Sequence, residues 1–276
     1  MAASGPLSFC LIPGLVLALL LGAGQGAPAG ARPVEVELVL GVDTSMSVAP
    51  DEFALQMAGY AAALRHPEVV QAIEGAAGGI AVTLVQWADA YQQAVVIDWT
   101  WVGDAASAAV LANRIAVAGR RFTGPGTALA TALAFCLRRF DGNGFEGQRR
   151  VVDISGDGRD NRGPRLSAPR NDALLAGITV NGLAILSDEP FLDRYFERQV
   201  IAGPDAFVIA AKEYRDFADA IVRKLIREIA GPQLVRRAVP PDYSARAVVP
   251  VIRRSTSSST MRWNSMSMPF SVRTRS

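Results

Sequence analysis

Residues 34–42 read Val-Glu-Val-Glu-Leu-Val-Leu-Gly-Val: acidic and apolar side chains alternate at first, then polarity nearly vanishes. Such a run predicts a central strand, nearly continuous in apolar character after the alternating Glu35 and Glu37. Pro50 suits a first helical turn, with Asp51 and Glu52 near its positive end. Phe53, Met57, Tyr60, Ala61 and Leu64 then recur at helical spacing, and Pro67 is expected to close that helix. Gly78-Gly79 opens a strand from Ile80 to Trp87, and Ala88-Asp89-Ala90 turns it back into a second from Tyr91 to Trp101. This pairing makes one edge strand antiparallel. Beyond it the pattern predicts a helix over 105–118, a Gly/Pro loop, and a helix ending near Phe140. A strand over 150–155, a helix over 167–176, a strand over 179–186 and a helix over 191–200 follow. A short strand over 206–210 and an amphipathic helix over 213–229, burying Phe217, Ile221, Leu225 and Ile229, complete the series. Strands alternating with helices predict an α/β fold with a doubly wound, mostly parallel sheet covered on both faces.

The polar residues that interrupt this pattern fall where strands end. Asp43-Thr44-Ser45-Met46-Ser47 directly follows the first strand and offers a carboxylate and two hydroxyls at i, i+2 and i+4. Phe122-Thr123-Gly124-Pro125-Gly126-Thr127 delivers a third hydroxyl, that of Thr127, just before a helix. Val151-Val152-Asp153-Ile154-Ser155-Gly156-Asp157-Gly158 ends another strand on an acid between glycines. Hard oxygen donors without imidazole or thiolate suit Mg²⁺, Mn²⁺ or Ca²⁺ rather than zinc. Taken alone, Asp-x-Ser-x-Ser could equally be an ordinary polar β–α turn. Taken together, the three segments resemble the von Willebrand factor A (VWA) family and its metal-ion-dependent adhesion site (MIDAS). The matching residues are Asp43, Ser45 and Ser47, then Thr127 in a Gly-rich loop, then Asp157 in Asp-Gly. The resemblance covers about residues 34–230, and the Ser-Gly-Asp-Gly ending is most similar to a bacterial, exported, VWA-like group of uncharacterised function.

That resemblance implies a Rossmann-like fold and a divalent cation, Mg²⁺ or else Mn²⁺ or Ca²⁺, held by Asp43, Ser45, Ser47, Thr127 and Asp157. It also implies a non-enzymatic protein-binding module that grips an acidic side chain of a partner. Ser45 and Ser47 are expected as direct ligands, with Asp43 and Asp157 acting partly through water. Two carboxylates only balance the charge of the ion, which therefore keeps affinity for an incoming carboxylate. The alternative is a metal-assisted hydrolase or phosphotransferase. Against it, the positions beside Asp43 carry Thr44, Ser45 and Ser47 rather than a second acid, no Gly-x-Ser-x-Gly elbow occurs, and no spare histidine serves as base. No catalytic residue is assigned.

Other acids have plainer readings. Asp153 lies within a strand and is expected to be a hydrogen-bonded structural acid, Asp160 a rim residue, and Asp89 and Asp98 turn and strand-edge residues. His66, the single histidine, is expected to cap a helix end at the surface.

Half of the 276 residues are hydrophobic, enough for a sizeable core. No charge occurs before Arg32. The apolar run from Phe9 to Ala23, followed by Ala27-Pro28-Ala29, predicts a signal peptide over 1–29, with an uncleaved N-terminal anchor as the other possibility because a basic n-region is missing. Either implies an exported, periplasmic or secreted domain. Gly22 to Ala27 imitates a dinucleotide fingerprint, but Pro28 and Pro33 forbid the helix it needs. Cys10 falls in the signal segment and Cys136 at helical spacing with Leu129, Leu133 and Leu137, so neither a disulfide framework nor a Cys/His zinc site is expected. The net charge of +2 is uneven. Residues 232–276 hold eight Arg against Asp242, leaving 20 basic and 25 acidic residues, a net −5, in the remainder. The VWA-like domain, 34–231, therefore carries no nucleic-acid footprint. The Arg/Ser-rich segment 232–276 is expected to be a disordered tail, and contact with a membrane is expected only through an N-terminal anchor.

Overall fold

Two faces of apolar side chains on the first strand fix the architecture of the chain. In the computed structural model, which describes residues 30–238, strand β1 (Arg32–Asp43) turns Val36, Leu38, Leu40 and Val42 to one face and Val39 to the other. It pairs in parallel with β2 (Ile80–Trp87) on one side and with β4 (Phe145–Gly156) on the other. Antiparallel β3 (Gln93–Val102) closes one edge against β2, while β5 (Thr179–Ile185) and β6 (Val208–Ala211) extend the other edge in parallel. The order is β3-β2-β1-β4-β5-β6. Strand order reverses between β1 and β4, and at such a switch point the loops leaving the carboxyl ends of the strands part to form a crevice. The doubly wound, mostly parallel sheet with one antiparallel edge strand is as the patterning predicts.

Helices α1 (Pro50–Ala63), α2 (Pro67–Glu74), α3 (Ala105–Ala116) and α7 (Phe217–Ala238) cover one face. Helices α4 (Leu129–Leu137), α5 (Ser167–Leu175) and α6 (Leu192–Tyr195, continued by a π-helical turn over Phe196–Val200) cover the other. Cys136 packs there, its Sγ against Gly41 of β1. Pro67 does not simply end a helix: it opens α2, and His66 caps that helix by accepting the Glu68 amide at Nδ1, 3.3 Å away. Strand β4 begins at Phe145 rather than Arg150, because pairing with Arg32, Pro33 and Val34 carries it past the apolar stretch. Helix α7 is interrupted at Gly231, whose φ of 65° is left-handed and whose successor, Pro232, disfavours a helical residue before it. Among the described residues no helix is long and apolar enough to cross a membrane. The predicted signal segment and the tail beyond Ala238 lie outside the described residues.

Candidate metal centre

Asp43 is the last residue of β1, opposite Trp87 of β2, and its neighbour Val42 pairs with Ser155, so Asp43 arrives beside Gly156 of β4. The packing there is close. A Cβ on Gly156 would sit 3.1 Å from Asp43 Oδ2, tight enough to push the carboxylate aside. The other oxygen, Oδ1, accepts the Ser45 amide at 2.7 Å and so folds the loop back over the strand end. Ser45 Oγ lies 3.1 Å from Ser47 Oγ, and Ser47 Oγ donates to Asp157 Oδ1 at 2.8 Å. Since Ser47 spends its hydrogen on Asp157, Ser45 is the donor between the two serines. Thr127 packs against the residue after Asp157, with Oγ1 3.4 Å from where a Cβ on Gly158 would lie. The five residues singled out from the sequence are thus brought to one crevice from three loops. Asp43, Ser45, Thr127 and Asp157 are buried, while Ser47 is exposed.

Neighbouring loops hold this arrangement in place. Thr44 anchors on the Trp87 carbonyl through both its amide and its hydroxyl, at 2.8 and 3.0 Å. Asn161 clamps Thr127, accepting the threonine amide at Oδ1 and donating its own amide to the threonine carbonyl, each at 2.9 Å. Arg120 donates from one nitrogen to the carbonyls of Thr44 and Ser45 at 2.9 and 2.7 Å, and from Nε to Phe122. It therefore ties the loop of Asp43 to the loop of Thr127. Tyr214, in a 3₁₀ turn leading into α7, donates its hydroxyl to Asp157 Oδ2 at 2.9 Å. Neither Arg120 nor Tyr214 can be assigned from local sequence; only the folded chain brings them here.

The electrostatics of the crevice are unbalanced. Burial, and then the charge of Asp157, push the Asp43 carboxyl up to about 8, against relief from the Ser45 hydrogen bonds and Arg120. Asp157 is also raised, chiefly by burial and further by Asp188, while its bonds from Ser47 and Tyr214 lower it. Asp43 Oδ2 is buried with no hydrogen-bond partner. Two crowded carboxylates, an orphaned acid oxygen and two linked serine hydroxyls form a donor set of hard oxygens, which suits a hard divalent cation. Among the described residues no three His, Cys, Asp or Glu side chains converge as a metal-holding group, so an ion here would depend on hydroxyls as well as carboxylates.

The remaining acids behave differently. Asp153 is wholly buried and faces Lys224 of α7, whose Nζ lies 3.1 Å from its Oδ1. Asp160 accepts the Ala130 amide at 3.3 Å, at the start of α4, and Asp89 accepts the Ala90 amide at 2.7 Å within its turn. None of the three bonds to the five residues of the crevice.

Residues 33–233 match the model of a family described as "Protein of unknown function (DUF1194)". No curated protein matches the chain. Among solved structures it is similar to proximal thread matrix protein 1 (PTMP1) of the mussel byssus, described with a zinc-occupied MIDAS motif, at 16% identity and a TM-score of 0.57. The aligned part is 73% of this chain and 50% of that one, so the chain spans about half the length of PTMP1. It is also similar to a von Willebrand factor type A protein of Catenulispora acidiphila, at 17% identity, TM-score 0.51, and 71% and 42% coverage. The vWF domain of the type V pili tip protein Mfa5 of Porphyromonas gingivalis aligns at 11% identity and TM-score 0.50, over 75% of this chain and 97% of that one. At these identities the likeness establishes the fold, which is that of VWA domains.

Proposed function

The chain belongs to the DUF1194 family of proteins of unknown function, and we propose that it is a divalent-cation-dependent protein-binding module, not an enzyme. The observation that carries this reading is the orphaned Asp43 Oδ2, buried beside Asp157 with the Ser45–Ser47–Asp157 chain next to it. An ion held by Asp43, Ser45, Ser47, Thr127 and Asp157 would relieve both raised carboxyls. When bound, it would supply a Lewis-acidic position for a partner's Asp or Glu. The protein's own contribution is to fix the donors: Arg120 and Thr44 hold the Asp43 loop, Asn161 holds Thr127, and Tyr214 holds Asp157.

Mg²⁺ is the ion proposed, with Mn²⁺ or Ca²⁺ next. Zinc occupies the MIDAS of PTMP1, and intrinsic affinities for most sites favour zinc over Mg²⁺, so the resident ion is set by availability as much as by the ligands. The named relatives include a byssus matrix protein and a pilus tip protein, and their placement supports an exported, adhesion-type role for this chain. Affinity purification from cell envelope in Mg²⁺ and again in EDTA tests the reading. Partners retained in Mg²⁺ by the wild type and lost both in EDTA and with Asp43→Ala are expected. Partners indifferent to EDTA would overturn it.

A further inference from the structure

A cavity of about 270 Å³ lies at the end of the sheet remote from the crevice, where β4 comes level with the start of β5 and Val151 pairs with Thr179. Its floor is apolar. Leu137 ends α4, Phe140 belongs to the 3₁₀ turn that follows, and Ile178 just precedes β5; the last two are buried. Four charged residues line the same space: Arg138 and Asp141 after α4, Arg150 of β4 and Asp172 of α5. Among the described residues none of the four makes an ion pair. Arg138 and Asp141 also border a second cavity of about 180 Å³, whereas Arg150 and Asp172 line only the first of these two. The Arg150 guanidinium is fixed at the wall. One of its nitrogens donates to the carbonyl of Ala176, which closes α5 and itself lines the cavity, at 2.5 Å. The rest of its planar fork is left for a ligand.

Two guanidiniums and two carboxylates around one apolar floor carry no net charge, and this decides what they can hold. A lone anion would meet the aspartates along with the arginines, and a lone cation the reverse. A molecule bearing both signs satisfies the two sets together, because a carboxylate suits the guanidinium fork and an ammonium suits a carboxylate. The volume falls below the range of roughly 300–1,000 Å³ usual for larger ligands and cofactors. We propose that this cavity binds a zwitterionic α-amino acid with an apolar side chain. Its carboxylate would pair with Arg150 and its ammonium with Asp172, Arg138 and Asp141 would complete the charged shell, and its side chain would lie on Leu137, Phe140 and Ile178. The site is separate from the crevice and does not depend on the metal-dependent reading.

The test titrates the full chain with L-leucine and two of its analogues, following backbone amides by NMR. Leucine is expected to bind with a Kd of about 1 mM or tighter, shifting the amides of Ala176 and Ile178. Isocaproate lacks the ammonium and isoamylamine lacks the carboxylate, so each should bind at least about tenfold more weakly. Asp141→Asn combined with Asp172→Asn alters two exposed side chains, and far-ultraviolet circular dichroism checks that the variant keeps the fold. That variant should weaken leucine about tenfold and erase its preference over isocaproate. The comparison of analogues on the wild type needs no variant and stands on its own. Either analogue binding as well as leucine would overturn the proposal, as would a preference that survives the double substitution. Shifts confined to residues away from the cavity, or no saturable leucine binding up to about 10 mM, would overturn it too.

Discussion

Asp43 concentrates the chemistry of the site in one side chain. Without a cation it holds its proton to about pH 8, whereas in the unfolded chain the group returns to its ordinary value of 3.8. A folded-state value above the unfolded one means that the folded form binds more protons between these limits. Metal-free stability should therefore fall as pH rises from about 4 to about 8 and level off above that. Mg²⁺ needs the carboxylate, so uptake at pH 7 should expel about one proton and affinity should climb with pH up to about 8. Calorimetry in two buffers of different ionisation enthalpy measures the release, and identical heats in both would discard it. The five candidate ligands were legible because each is marked by its own local surroundings: a strand end for Asp43, glycines for Asp157, a Gly/Pro loop for Thr127. Arg120 and Tyr214 carry no such mark, since each acts on loops remote from it in sequence.

Helix α7 shows what sequence patterning leaves out at the scale of an element. Its apolar stripe is Phe217, Ile221, Leu225 and Ile229, but Lys224 and Glu228 share the buried side and both are enclosed. Lys224 lies 2.5 Å from Glu228 and 3.1 Å from Asp153, and Asn181 of β5 donates to Glu228 at 3.0 Å. Burial, and then Glu228, push Asp153 up to about 7 against the pull of Lys224. One cation thus serves two acids, and the cluster ties α7 to β4 and β5. Lys224→Met should cost about 3–5 kcal/mol in urea unfolding at pH 7, because it strands buried acids. Asp153→Asn should cost far less, since Lys224 and Glu228 remain paired. That cost should shrink as pH rises from about 4 to about 7, where the wild-type acid loses the stability its raised value gives, and level off above pH 7. Equal losses for the two variants would refute the cluster as described. Lys224 was not singled out by the sequence, because its partner Asp153 comes from another element and could not be read locally. The omission of α2 has a different cause: Pro67 carries the same letter whether it ends one helix or opens another, and the turn between α1 and α2 leaves no further signal.

At the scale of the molecule, the two apolar clusters on either side of the sheet contain none of the five candidate ligands. Removing the ion should leave the fold intact. EDTA is expected to leave the far-ultraviolet circular dichroism unchanged while lowering the melting temperature only by the ligand's mass-action share. Collapse of the helical signal in EDTA would mean that the metal is structural. Hydrophobic periodicity made the sheet readable because each strand reports its own burial. Strand order was not legible in the same way, since pairings such as β1 with β4 join segments far apart in sequence and leave no local mark.

The pairing of β1 with β4 also sets when the site can exist. Ser47 and Asp157 are 110 positions apart and meet only because those two strands lie side by side. Closing a loop of that length belongs to the slow, late part of folding rather than to local collapse. A chain emerging in extended form would carry all five donors and yet be blind to the ion, since no fragment short of the central strand pair assembles them. On the proposed metal-dependent reading, ion capture would be a readout of completed folding, available only once the sheet has closed.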